Sequence, residues 1–178
     1  MKSDVIKIDN GGNGFENALA ETKKAAVYRE LKGKDALHLE LMTEEMLSLV
    51  RSVTGEMQAS FWIEAEGAQY DLHLTTKTVL DKEKRAQLIS SASSRKNEAA
   101  NTFLGYLRNA FEEAMASEAN HSNDLPEDVL DDLANHPIEI GDQELDGYER
   151  SVLRKVADNV KIAIRGGVVD MTVSKRFA

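Results

Sequence analysis

The sequence contains no cysteine, which excludes disulfides and thiolate metal sites and fits a reducing compartment. Its two prolines, Pro126 and Pro137, both lie between Glu118 and Asp142. Aromatic residues make up 6% of the chain, with a single tryptophan, Trp62. No segment approaches the roughly 20 consecutive apolar residues of a membrane-crossing helix. The opening residues, Met1 to Gly12, lack the apolar stretch of a secretion signal. Positive charge is in deficit: 22 Lys and Arg stand against 31 Asp and Glu, a net charge of −9. That balance argues against a broad surface for nucleic acid or anionic membrane. The expectation is a cytoplasmic protein with no membrane and no direct nucleic-acid contact.

What is present suits one globular domain: 178 residues, 42% of them apolar. Val5–Ile8 reads as a short strand that ends in the turn residues Asp9 to Gly14. A helix follows from Phe15 to about Leu31, with Phe15, Ala18, Leu19, Ala25, Ala26 and Tyr28 on its apolar side. Asp35 is placed to cap a second helix. Leu39, Met42, Met46, Leu49, Val50 and Val53 form a stripe along it, and Gly55 lies past its end.

The period then changes from helical to alternating. Phe61, Ile63 and Ala65 alternate with Trp62 and Glu64; after Gly67, Tyr70, Leu72 and Leu74 alternate with Asp71, His73 and Thr75. These runs predict a hairpin with one face on the core and His73 on the exposed one. Lys82–Ser94 reads as part helix and part loop. A helix is expected over Asn97–Ser117, with Phe103, Leu107 and Phe111 covering the core or, in the alternative, projecting to a partner, and an acidic loop over Glu118–Asp142. An amphipathic helix is expected over Glu144–Asn159. A second hairpin then places Val160, Ile162 and Ile164 beside Val169, Met171 and Val173 across Gly166–Gly167. The expected architecture is a two-layer α/β sandwich: a mixed sheet of about five strands, helices on one face, and a helical insertion over residues 80–142.

This order, the stretch Ser151–Phe177 and the helix Leu39–Val50 resemble the GHKL superfamily of histidine kinase-like ATPases. Among them it is most similar to the bacterial anti-sigma-factor serine kinases. The resemblance implies ATP and magnesium as cofactors, a protein partner, and an ATP lid where residues 80–142 lie. In that family a helix glutamate acts as general base and an asparagine four residues later holds magnesium. The matching positions here are Glu45 and Leu49, or in the other register Glu44 and Ser48. Leucine offers no oxygen to magnesium, and serine only a hydroxyl. The family's adenine-binding Asp-x-Gly-x-Gly falls on Leu74–Asp81, where no glycine occurs. Thr76 lies within that stretch, and Asp81 is its one acid. The lid glycines reduce to Gly141 and Gly147 among acidic residues, which repel phosphate.

The resemblance therefore implies the frame more than the pocket. The expected function is a regulatory or protein-interaction module with weak or no ATP binding, its partner another protein or a second copy of this chain. The alternative is an ATP-binding protein or serine kinase with divergent motifs. Other candidates read as structural. Asp9–Gly14 fits a strand-to-helix turn as well as an anion nest. His38, His73, His121 and His136 show no metal-ligand spacing. Lys82, Lys84, Arg85, Arg95 and Lys96 read as a solvated face.

Overall fold

The structure, a computed structural model, describes residues 1–9, 13–54, 58–100 and 152–177. The expected helix over Asn97–Ser117, the acidic loop, residues 144–151 and Gly55 therefore lie wholly or largely outside the described residues. The elements are β1 (Ile6–Ile8), α1 (Phe15–Tyr28), α2 (Lys34–Thr54), β2 (Ala59–Glu66), β3 (Gln69–Lys77), α3 (Lys82–Ser91), a 3-10 turn (Glu98–Ala100), α4 (Val152–Val156), β4 (Asn159–Arg165) and β5 (Val168–Arg176). The strands form one five-stranded sheet in the order β1-β2-β3-β5-β4.

The sheet is antiparallel at every described pairing, not mixed as the sequence reading expected. The reason lies in the connections. Two tight hairpins join β2 to β3 and β4 to β5, and a hairpin can only be antiparallel. Between β1 and β2 stand two helices that run side by side in opposite directions, with Thr22 Oγ1 3.0 Å from Thr43 Oγ1 and Lys23 Nζ 3.6 Å from Glu40 Oε2. One helix would return the chain for a parallel strand; two bring it back reversed.

Alternation fixes the two faces. Phe61, Ile63, Ala65, Tyr70, Leu72, Leu74, Val160, Ile162, Ile164, Val169, Met171 and Val173 are all buried, as the sequence pattern predicts. They form one core with Ala18, Ala25 and Ala26 of α1 and with Leu39, Met42, Met46, Leu47, Val50 and Val53 of α2. The small residues of α1 let it lie close to the sheet, and the larger ones of α2 fill the remaining depth. The opposite face carries Ser60, Trp62, Glu64, Asp71, His73, Thr75, Asp170 and Thr172, which are half-buried or exposed.

Several local expectations need correction. Asp35 does not cap α2: Gly33, at φ 53°, makes the turn, its carbonyl accepts from Leu37 N–H, and the helix begins at Lys34. Tyr28 is 74% exposed, because it lies outside the helical arc of Ala18, Thr22, Ala25 and Ala26 that α1 buries. The last helix stops at Val156, three residues before Asn159, which already belongs to β4. Its start is not covered by the described residues.

The sheet's two edges are closed differently. Along β4, Ser93 Oγ accepts from Val160 N–H at 2.8 Å and Ser93 N–H donates to Val160 O at 2.8 Å. One turn of chain later, the Asn97 amide accepts from Ile164 N–H at 2.8 Å and donates to Ile164 O at 3.0 Å. Along β2, β1 covers Ala59 to Phe61, and residues Met1–Ser3 continue past it: Ser3 N–H donates to Ile63 O (2.9 Å), Ile63 N–H to Ser3 Oγ (2.9 Å) and Ala65 N–H to Met1 O (2.8 Å). Backbone groups that would otherwise template another strand are thus satisfied.

Candidate functional site

Three of the six residues that the family resemblance singles out, Leu49, Thr76 and Asp81, are employed in holding the fold. On α2, Glu44 and Ser48 are exposed and Glu45 is half-buried. Leu49 is half-buried and packs against the core. Thr76 is buried, 1% exposed, and its hydroxyl donates to the Gln58 carbonyl at 3.0 Å, tying the end of β3 to the start of β2. Asp81 caps α3: its Oδ1 accepts from Lys84 N–H at 2.8 Å, the ordinary work of an aspartate before a helix. Among the described residues, no side-chain hydrogen bond or ion pair joins any two of these six. Gly141 and Gly147 lie outside the described residues.

The other sequence candidates resolve in the same way. Asp9 closes the strand-to-helix turn by accepting from the Asn13 backbone (3.1 Å) and the Asn13 side-chain amide (2.9 Å). Arg85 is buried, 5% exposed, so the basic residues around it do not share one solvated face.

The described residues that do converge lie on the open face of the sheet. Register places Trp62 opposite His73 across the first hairpin, and His73 opposite Thr172 on β5. The indole and imidazole stack, with centroids 4.9 Å apart and planes 10° from parallel. His73 Nδ1 lies 3.2 Å from Thr172 Oγ1, the tautomer setting which atom donates. His73 Nε2 is buried and has no hydrogen-bond partner. The nearest carboxylate oxygen across the hairpin is Glu64 Oε2, 3.8 Å away.

Glu64 is already engaged through its other oxygen. Lys2 Nζ lies 2.8 Å from Oε1, and Trp62 Nε1 donates to the same atom at 3.2 Å. Lys2 Nζ also sits 5.5 Å from the centre of the indole. The Lys2 hydrogen bond, seconded by that from Trp62, holds the Glu64 carboxyl below its usual range. His73 is pulled the other way: burial, which disfavours the charged ring, lowers its pKa despite the neighbouring Glu64 and Asp71.

The sequence reading put His73 on an exposed strand face; it is only 21% exposed, because Trp62 covers it. The hairpin register could have revealed this. With Gly67–Ala68 as a two-residue turn, residues whose numbers sum to 135 stand opposite, and Trp62 meets His73. The part played by Lys2 had no such signal, since nothing in the pattern predicts residues 1–3 beside β2. Among the described residues, no three His, Cys, Asp or Glu side chains gather as a metal would require. No helix there is long and apolar enough to cross a membrane. The chain matches no family model, no curated protein and no solved structure.

Proposed function

We propose that this chain is a non-catalytic protein-interaction module, a regulatory relative of the anti-sigma-factor kinases in which the ATP site has been given up. The observation that carries the interaction reading is the apolar surface of the α1–α2 hairpin. Val27 is 76% exposed, Tyr28 74%, Leu37 66% and Leu41 37%. The Lys23–Glu40 ion pair marks where the helices run abreast. Moving one turn forward from Lys23 and one turn back from Glu40 brings Val27 and Leu37 side by side. Leu41 follows Leu37 on the same face by one turn. Large side chains grouped on solvent in this way mark contact surfaces more often than scattered ones do.

The loss of ATP binding is supported by what the matching residues do instead. Leu49 fills core, Thr76 fastens two strands, and Asp81 caps a helix. Each missing charge-assisted contact removes roughly 1.5–3 kcal/mol of binding.

The test is a paired one. The chain and its Val27→Glu/Leu37→Glu variant are expressed at native level in their own host, cross-linked and purified. Sedimentation of the isolated chain separates self-association from a heterologous partner. A specific protein held by the native chain and lost from the variant, with the circular dichroism unchanged, bears the reading out. Equal recovery by both overturns the surface assignment. Saturable binding of ATP and magnesium below about 50 μM, abolished by Glu45→Ala or Glu44→Ala, overturns the non-catalytic reading in favour of a divergent ATP-dependent kinase.

A further inference from the structure

The cluster on the open sheet face has one arrangement that packing alone does not require: a lysine cation and a ring that becomes a cation on protonation meet one carboxylate. Glu64 Oε1 is held by Lys2, while Oε2 faces the unpartnered Nε2 of His73 at 3.8 Å. Lys2 is the side-chain fastener of a three-residue strap. Its neighbours Met1 and Ser3 occupy the β2 edge at Ala65 and Ile63, and Lys2 itself bridges to Glu64.

We propose that the Lys2–Glu64–His73 cluster is a proton-operated latch: protonation of His73 turns Glu64 toward the imidazolium, weakens its hold on Lys2, and frees the Met1–Ser3 strap from the edge of β2. Valence and distance decide how the cluster answers a proton. A neutral imidazole carries one N–H; an imidazolium carries one on each nitrogen, whichever tautomer preceded it. Nδ1 already has Thr172. The new or retained N–H at Nε2 is buried without an acceptor, and a buried unsatisfied donor is costly. Among the described residues Glu64 Oε2 is the one carboxylate oxygen within 4 Å of it, and it must approach by several tenths of an ångström to accept. A carboxylate that rotates to do so moves Oε1 away from Lys2. Lys2 and the imidazolium also repel each other.

Among the described residues no other carboxylate oxygen lies within 4 Å of a His73 ring nitrogen. Asp71, on its own strand, accepts from Gln69 Nε2 at 3.0 Å. Asp170, diagonal to it on β5, accepts from Thr75 Oγ1 at 2.7 Å. Trp62 stacks on the ring and bonds Glu64, so it moves with the carboxylate. Burial of the ring places the transition on the acid side of an ordinary histidine.

Amide hydrogen exchange tests the latch at the atoms concerned. The amides of Ile63 and Ala65 are the ones the strap covers. Their protection factors, corrected for the intrinsic pH dependence of exchange, are measured from about pH 7.5 to pH 5. Leu72 and Val173, in the middle of the sheet, serve as internal references. Emission from Trp62, the only tryptophan, reports the charge on His73 in the same samples. Protection at Ile63 and Ala65 is expected to fall by about twofold to fivefold, the scale set by losing an exposed ion pair, as the tryptophan signal titrates, with the references unchanged. In His73→Gln the fall disappears. In Lys2→Met protection is low at every pH. If His73→Gln fails to fold, Glu64→Gln removes the contested carboxylate and gives low, pH-independent protection. Protection in the native chain that stays level through the tryptophan titration, or that falls equally in His73→Gln, overturns the latch.

Discussion

Gly14 sits against the carbonyl of Lys7 so closely that a Cβ at residue 14 would lie 2.2 Å from the Lys7 oxygen. Its φ is +98°, and its carbonyl receives the first hydrogen bond of α1, from Ala18 N–H at 2.8 Å. A side chain there meets rigid backbone as well as an unfavourable conformation. Gly67, in the first hairpin turn, has φ +55°, and a Cβ there would meet nothing within 4 Å. The prediction is a contrast. Gly67→Ala costs about 1 kcal/mol from backbone strain alone, while Gly14→Ala costs about 3 kcal/mol or more and shifts α1. Thermal denaturation of the two variants side by side measures the difference.

The stripe on α2 gives a graded series. Met42 and Leu47 are wholly buried, and Leu49 is half-buried at the margin of the same core. Met42→Ala and Leu47→Ala each leave a cavity and lose about 2–5 kcal/mol. Leu49→Ala loses less, about 1–2 kcal/mol, because solvent and neighbours close over the gap. Ser48→Ala, on the exposed side, stays within about 0.5 kcal/mol. Urea denaturation ranks the four. A Leu49 effect as small as that of Ser48 would mean that the residue lines open space, as a vestigial nucleotide pocket would have it.

The α2 series also shows how far the sequence could be read. Period-2 alternation found all four long strands and the correct face of each, because a half-buried strand must segregate apolar from polar side chains on successive residues. The helical period found α1 and α2 but missed Leu47, which lies one residue outside the marked stripe and is buried because α1 packs beside α2 as well as the sheet beneath. Strand direction was not legible in the same way. It depends on how many helices intervene and how they turn, and expecting a mixed sheet overlooked that two antiparallel helices reverse the chain. The latch cluster was half legible: the hairpin register pairs Trp62 with His73, whereas Lys2 reaches Glu64 from 62 positions away along the chain.

Asn97 is the side chain on which the β4 edge depends. It is 5% exposed, and its amide serves both the N–H and the C=O of Ile164 in the manner of a neighbouring strand. Asn97→Ala leaves those two backbone groups without this partner, at a cost of about 1–3 kcal/mol for each that stays dry. It also uncovers a strand edge, and an uncovered edge pairs with another chain. The variant is expected to lose stability and to self-associate with rising concentration. Light scattering and sedimentation read the second effect; Asn97→Asp, which keeps the acceptor for Ile164 N–H alone, is expected to fall between.

Stability should decline in two separate steps as pH falls, the first set by His73 and the second shared by Asp158 and Glu64, whose carboxyls are both held below their usual range. His73 has its pKa lowered in the folded chain by burial, so the unfolded chain binds that proton more readily. Its contribution is complete above the ordinary imidazole value of about 6.5 and is lost as pH falls from there through the folded value. Asp158 is lowered first by the Lys175 hydrogen bond at 2.6 Å and then by the Arg176 N–H at 2.8 Å. Its contribution is present above the ordinary aspartate range, about pH 4, and is lost as pH falls through its lower folded value. The Asp158 side chain is 47% exposed, so salt screens part of its effect. Chemical denaturation from pH 8 to pH 2 therefore separates the two steps. His73→Gln removes the first step and leaves the second. Asp158→Asn reduces the second to the part that Glu64 supplies, leaves the first, and shows a smaller difference from the native chain at high ionic strength than at low. A single step that neither variant alters would place the acid sensitivity of the fold elsewhere.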